Sequence, residues 1–264
     1  MKMNTRLVFK ILLRRFQADG VFDVGSCDGY DSVLFRQILP KAVIVAFEAN
    51  PINYQKMAAN ETIRANRIEV LPYAITNRTG TAQFNVVDVD YENPQENRGT
   101  SSLLVHESLK IREVVEVETR RLDEIVLKDY SSIQRLGLWI DVEGAEFGVL
   151  ESIAGVKDRV VAAHVETARS PLRLGQRVFS DVEALMKSLG FSPVGTNMSE
   201  SSTWGDVVFV NEKAVSQLGW RFRLCCWMSM LTDQCRLDSL GLFLRQRCQP
   251  LYHLLRRIYF KLFT

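Results

Sequence analysis

Short apolar runs alternate with polar turns along most of the chain, and helical spacing takes over after nearly every run. Val21-Phe22 leads into Asp23, then Gly25 and Gly29 flank a polar turn before a helical stretch, Asp31–Leu39. Further strand patterns fall at Val43–Phe47, Arg67–Leu71, Leu136–Val142, Val160–Val165 and Val207–Val210. Helical patterns follow Asn50-Pro51, where proline suits a first turn, run from Glu146 to about Ile153, and cover Phe179–Leu189 up to Gly190. Thr81–Val87 has strand character, Val114–Thr119 alternates like an exposed strand edge, and Arg121–Ile125 reads as a short helix. Strand–helix alternation repeated in this way predicts an α/β fold, a doubly wound and mostly parallel sheet with helices on both faces. Before it, Leu7, Phe9, Ile11, Leu12 and Phe16 stand at helical spacing and predict an opening helix packed on the core.

Periodicity breaks between Asp88 and Thr100, a polar loop long enough to be a lid. The 264 residues suffice for one large domain with an extension, and 47% hydrophobic with 24% charged residues is ordinary for a soluble globular protein. A net charge of +2 hides an uneven distribution. From Trp220 onward, eight Lys/Arg face only Asp233 and Asp238, so the rest of the chain is net acidic. That acidity, and the lack of any recognisable module, argue against nucleic acid. Four of the five cysteines (Cys225, Cys226, Cys235, Cys248) lie in this basic tail at spacings that match no standard zinc pattern. Lys10 interrupts the short apolar run Leu7–Leu13, no stretch is long enough to span a membrane, and a reducing, cytoplasmic setting is expected.

The first turn carries chemistry. Its glycines let backbone N–H groups approach a nucleotide closely. Glu48 follows Asp23 by 25 positions, at the tip of the next strand, where α/β nucleotide folds hold a ribose hydroxyl pair. A tight turn in any α/β domain accounts for the glycines alone; Glu48 is what favours a nucleotide. A dinucleotide fingerprint needs a second glycine where this chain has Cys27. The Asp-x-Gly order suits a ligand with an amino group and a cationic centre, and S-adenosylmethionine is such a ligand.

Leu138-Trp139-Ile140-Asp141-Val142-Glu143-Gly144-Ala145-Glu146 completes an ordered series of motifs. Before it come Val21–Gly25 with Gly29-Tyr30, Ala46–Pro51, Leu71–Ile75 with Gly80, Gly99–Leu103, and Leu122-Asp123. Over roughly residues 20–170 the chain resembles the FkbM-type family of S-adenosylmethionine-dependent methyltransferases. The resemblance implies a class I methyltransferase (Rossmann-like) fold over 20–213, after an opening helix (1–19) and before a basic, aromatic helical extension (214–264). It implies O-methylation of a sugar, glycan or glycolipid precursor, with the cofactor held by Asp23, Gly25, Ser26, Asp28, Gly29, Glu48, Ala49, Ala74 and Asp141. Ser26-Cys27-Asp28 and Asp31 depart from the family's usual small, Asn-bearing and uncharged residues there.

Methyl transfer is an in-line displacement in which positioning contributes roughly 7–11 kcal/mol. A base beside the hydroxyl adds about 10²–10⁴-fold. Asp141 is the first candidate, against a role as a helix N-cap; Glu143 could line the acceptor pocket or cap the same turn; Glu146 suits the following helix's dipole. His164 and Glu166 share strand parity and could both face the cleft, although a histidine in that setting is more often a satisfied core residue. Asp141, Glu143 and Glu166 could together hold Mg²⁺, an arrangement ranked below a metal-free site. Ser101 and Ser102 could bind a polar acceptor or satisfy their own loop. In the tail, Leu251, Leu254, Leu255, Ile258, Tyr259 and Leu262 form a stripe flanked by basic residues, which fits core packing, a homodimer contact or a peripheral membrane helix. Two rival readings stand beside the enzyme: a nicotinamide-dependent oxidoreductase, and a non-catalytic membrane- or partner-binding protein.

Overall fold

The computed structural model describes residues 3–88, 99–199 and 201–215. The chain runs through α1 (Thr5–Arg15), β1 (Gly20–Val24), α2 (Tyr30–Ile38), β2 (Val43–Phe47), α3 (Pro51–Ala59), α4 (Glu61–Ala65), β3 (Glu69–Leu71), β4 (Ala74–Ile75) and β5 (Gly80–Val87). It continues through β6 (Ile111–Arg120), α5 (Leu122–Lys128), β7 (Leu136–Ile140), α6 (Glu146–Glu151), β8 (Val160–Ala168), α7 (Phe179–Ser188), β9 (Phe191–Thr196), β10 (Trp204–Asn211) and α8 (Glu212–Val215).

Seven strands form one sheet in the order β3-β2-β1-β7-β8-β10-β9. The first five are mutually parallel; β10 runs antiparallel to both β8 and β9. The chain winds outward from β1 to β3, then returns to place β7 against β1. That reversal is the switch point at which open α/β sheets bind ligands, beyond the carboxyl ends of the strands. This is the doubly wound, mostly parallel architecture that the hydrophobic pattern predicts.

Alternation along the strands divides the core. Phe22, Val24, Leu138, Ile140, Ala163 and Val165 point into one layer with α5, α6 and α7. Val21, Trp139, Ala162, Val208 and Val210 point into the other, under α1 and α2. Asn4 caps α1 by accepting from the Leu7 N–H at 2.8 Å, and Phe9, Leu12 and Leu13 are fully buried beneath it. Gly137 lets that helix settle: a Cβ there would lie 2.2 Å from a Leu13 methyl.

Five strands depart from the expected pattern. β9 was not foreseen because Phe191–Thr196 carries Pro193 and Gly195 and does not alternate; as the sheet's edge it tolerates both. β8 extends to Ala168 and β10 begins at Trp204, since each supplies the other's backbone partners. The expected strands at 81–87 and 114–119 leave the main sheet and form a separate one, ordered β4-β6-β5. The extension from residue 216 onward and the polar loop at 89–98 lie outside the described residues, and with them the tail's stripe and cysteines. No helix among the described residues is long and apolar enough to cross a membrane.

The opening helix is therefore structural. Phe9 meets Phe35 and Trp139 with ring centroids 5.8 and 5.7 Å away, so Phe9→Ala is expected to cost about 3–5 kcal/mol in denaturant unfolding. A loss below about 1 kcal/mol would show that α1 contributes little to the core.

Candidate active site

β1 ends in a turn whose backbone has no room for side chains. Gly25 has φ +84°, and a Cβ there would lie 1.8 Å from the Asp141 carbonyl oxygen. The Asp141 N–H donates to Val24 O at 2.9 Å, tying the tips of β1 and β7 together. The Gly25 and Ser26 N–H groups donate to Phe47 O at 3.0 and 3.1 Å, which binds β2 to the same turn. Cys27 then adopts φ +57°, unusual for a residue with a Cβ, and so aims its N–H at Glu48 Oε2, 2.6 Å away. The Asn50 N–H reaches the other oxygen, Oε1, at 2.8 Å. Burial nevertheless raises the Glu48 carboxyl to about 7, these amide bonds partly opposing it.

Glu48 and Asp141 line one cleft at the switch point, together with Gly25, Cys27, Ala49, Asn53 and Ala74. Phe47, Tyr73, Ile75, Phe84 and Val142 supply apolar wall. Gly99, Ser101 and Leu103 complete its lining. Asp23 does not reach the cleft. It is buried beneath the turn, accepting from Ser26 Oγ at 2.7 Å and Ser32 Oγ at 2.6 Å, and burial lifts it to about 6. Ser26 is consumed by that bond, Asp28 accepts from the Tyr30 N–H at 3.0 Å, and Gly29 makes room for Ile63, whose Cδ1 would lie 2.2 Å from a Cβ. None of these four lines the cleft: they shape the turn.

Beyond β7 the chain gathers carboxyls. One oxygen each from Asp141, Glu143 and Glu166 lies within 4.8 Å of the others. Asp141 and Glu166 stand side by side in this group. Burial, and then the charges of their acidic neighbours, push both well above the usual carboxylate range. Hard oxygens so placed are what Mg²⁺ takes, but Glu143 already pairs with Arg173 Nη2 at 2.5 Å. Glu146 is fully buried and accepts from the Gly144 N–H at 2.8 Å, shaping the loop before α6; burial raises it to about 7. Asp141 is not the N-cap of α6, since Ala145 holds that position without a side-chain bond.

His164 is where the expectation fails. It shares a sheet face with Glu166, but β8 runs on past it, so it lies one pleat inside the sheet rather than at a strand end. Its ring stacks on Trp139 at 3.6 Å and abuts Phe9, and neither ring nitrogen finds a hydrogen-bond partner. Burial pulls its pKa well below the usual value, which makes it a neutral core side chain remote from the cleft. The loop serines are also internal. Ser101 Oγ accepts from the Val87 N–H at 3.0 Å, and Ser102 Oγ donates to Val142 O at 3.3 Å. Asn53 and Arg173 went unnoticed in the sequence, where Cys27 stood out only as the residue that displaced a glycine and Tyr73 only as part of a motif.

Strand order, switch-point cleft and acidic strand tips define a Rossmann-like sheet of the class I methyltransferase type. The chain belongs to the FkbM methyltransferase domain family, which it matches over residues 23–193. It is 29% identical over 145 residues to the 2-O-methyltransferase NoeI of Sinorhizobium fredii, covering 52% of this chain and 57% of that one. The chain thus spans little more than half the length of this relative. Magnesium protoporphyrin IX methyltransferase of Synechocystis with bound S-adenosylmethionine superposes with TM-score 0.42 at 10% identity, over 78% of this chain and 79% of that one. The N-terminal domain of EvdMO1, determined in the presence of S-adenosylhomocysteine and D-fucose, gives TM-score 0.42 at 10% identity, over 79% and 82%.

The buried acids set a pH dependence. Glu48 is raised from 4.5 to about 7 in the folded state, so folding binds protons. Its contribution to stability is complete below its unfolded value and is lost as pH rises through about 7. Unfolding free energy should therefore fall between about pH 5 and pH 8, and fall less steeply in Glu48→Gln. Parallel profiles for the two proteins would show that Glu48 ionises normally.

Proposed function

We propose that the protein transfers a methyl group from S-adenosylmethionine to a hydroxyl of a sugar, glycan or glycolipid precursor. One observation carries the reading: a carboxylate at the tip of β2, fixed by the Cys27 and Asn50 amides, inside a cleft whose backbone turn accepts no side chain at Gly25. Each Glu48 oxygen has accepted one N–H and keeps a lone pair for one of two ribose hydroxyls. Phe47, Ile75, Phe84 and Leu103 form apolar surface suited to a purine. The donor set therefore fits this cofactor, while Cys27 takes the place a dinucleotide's pyrophosphate would need clear.

When bound, S-adenosylmethionine supplies an electrophilic methyl on a sulfonium that leaves as a neutral thioether. The residues of this chain must then hold the acceptor oxygen in line and receive its proton. Asp141 and Glu166 support that second task, because their carboxyl oxygens lie within 4.8 Å of each other at the cleft's edge. A raised carboxylate is the stronger base, which narrows its gap to a sugar hydroxyl. The sugar as acceptor is supported by NoeI, a 2-O-methyltransferase, and by the polar, acid-lined approach to the pair.

Glu48→Ala should weaken S-adenosylmethionine binding about 10–100-fold by calorimetry, the value of charged hydrogen bonds to the ribose. Unchanged affinity removes the ribose assignment, and tight NAD binding with none of S-adenosylmethionine overturns the whole reading. Asp141→Asn should leave cofactor affinity within about threefold and lower kcat by about 10²–10⁴, read by mass spectrometry on glycan acceptors. Turnover within about tenfold of the parent would remove Asp141 from the proton path.

A further inference from the structure

A second hollow of ≈ 340 Å³ adjoins the cofactor cleft and lies within the range of small-molecule sites. The same two loops wall both. Asp141 and Val142 face the first, and Glu143 and Gly144 the second; Ser101 borders the first, and Thr100 the second. The Asp141 and Glu166 carboxyls, with oxygens within 4.8 Å of each other, meet across the partition, Asp141 lining one side and Glu166 the other.

Three features of this hollow suit a carbohydrate. Trp204, a large aromatic left 56% exposed, stands on its rim. Backbone pairing sets Trp204 opposite Ala168 and Asp206 opposite Glu166, so Trp204 and Glu166 project from one face of the sheet a single pleat apart. Thr167 also lines the hollow, and its buried hydroxyl has no partner in the described protein. A flat apolar face beside carboxyl and hydroxyl groups matches a pyranose ring, which presents C–H bonds on its face and hydroxyls around its edge.

Resting on the methyltransferase reading above, we propose that this hollow is the acceptor subsite, taking one pyranose ring stacked on Trp204 with a hydroxyl directed at the Asp141–Glu166 pair. Charge narrows the class further. Glu143, Glu146 and Glu166 line the hollow with Arg173, whose guanidinium is already engaged by Glu143. A sugar carboxylate would find that guanidinium already taken and be buried without a partner, so neutral and amino sugars fit better than uronic acids.

Saturation-transfer NMR on the full chain, using methyl glucoside, methyl glucosaminide and methyl glucuronide as probes, tests this without requiring turnover. The glucoside and glucosaminide should receive saturation on their ring C–H protons and the glucuronide at least threefold less. Trp204→Ala should abolish the signal and Trp204→Phe should restore most of it. Equal signals from the parent and Trp204→Ala, no signal from any probe, or preference for the glucuronide would each overturn the proposal. Calorimetry with S-adenosylmethionine on the same samples separates the two failures. Intact cofactor binding without sugar contact rejects the subsite alone, whereas loss of cofactor binding rejects the function it rests on.

Discussion

The site depends on burying carboxyl groups where the parallel strands end. Asp23, Glu48 and Glu146 are buried, Asp141 and Glu166 half-buried, and desolvation is the largest cause of each raised pKa. A buried carboxylate is tolerable only when donors or a proton compensate it. The chain uses both remedies. Asp23 is bridged by two serine hydroxyls, Glu48 by two amides and Glu146 by the Gly144 amide. Asp141 and Glu166 instead take the second, both being pushed well above the usual carboxylate range. The acids with fixed donors shape the turns, and the pair stands at the edge of the cleft.

Backbone geometry is what delivers those donors. Cys27 and Glu143 both take positive φ, at 57° and 56°, in the two turns that follow β1 and β7. In the first turn this conformation points an amide at Glu48; in the second it swings Glu143 toward Arg173 and away from the cofactor cleft. Gly25 and Gly144 complete the turns where a side chain would strike Asp141 O or Arg173 Cδ, at 1.8 and 2.8 Å. Such strain persists only when surrounding bonds fix it. The amides of Gly25, Ser26 and Asp141, each bonded to a neighbouring strand carbonyl, do so here.

How much of this could be read from the residues follows from how local each feature is. Acids immediately after apolar runs obey a one-dimensional rule, and Glu48 and Asp141 do line a common cleft. Asp23 obeys the same rule yet lies a layer below, because Ser26 and Ser32 fold back over it, a contact across nine positions. His164 misled for a related reason. Its strand continues to Ala168 only because β10 pairs alongside, and α1 then covers it from 155 residues away in sequence, with Phe9 against its ring. Arg173 and Trp204 come from irregular or antiparallel segments that no periodicity marks. Long-range pairing, more than propensity, set the limit.

The rim of the second hollow reaches past the region shared with the family. Every residue lining the cofactor cleft falls inside the region shared with FkbM methyltransferase domains, residues 23–193. Trp204, on the rim of the neighbouring hollow, falls beyond it, on β10. Specificity for a methyl donor demands little variation, since every member of such a family would meet the same nucleotide. Specificity for an acceptor demands much, and a late antiparallel hairpin can be altered without disturbing the β1–β7 contact that orders the cofactor turn. Because β10 pairs in register with β8, a change on its solvent-side end alters the hollow's rim while Glu166 stays fixed by the strand beside it. Asp141, Glu166 and Trp204 thereby sit on or just beyond the neighbouring strands β7, β8 and β10, aligned by backbone hydrogen bonds rather than by side-chain contacts that substitution would remove.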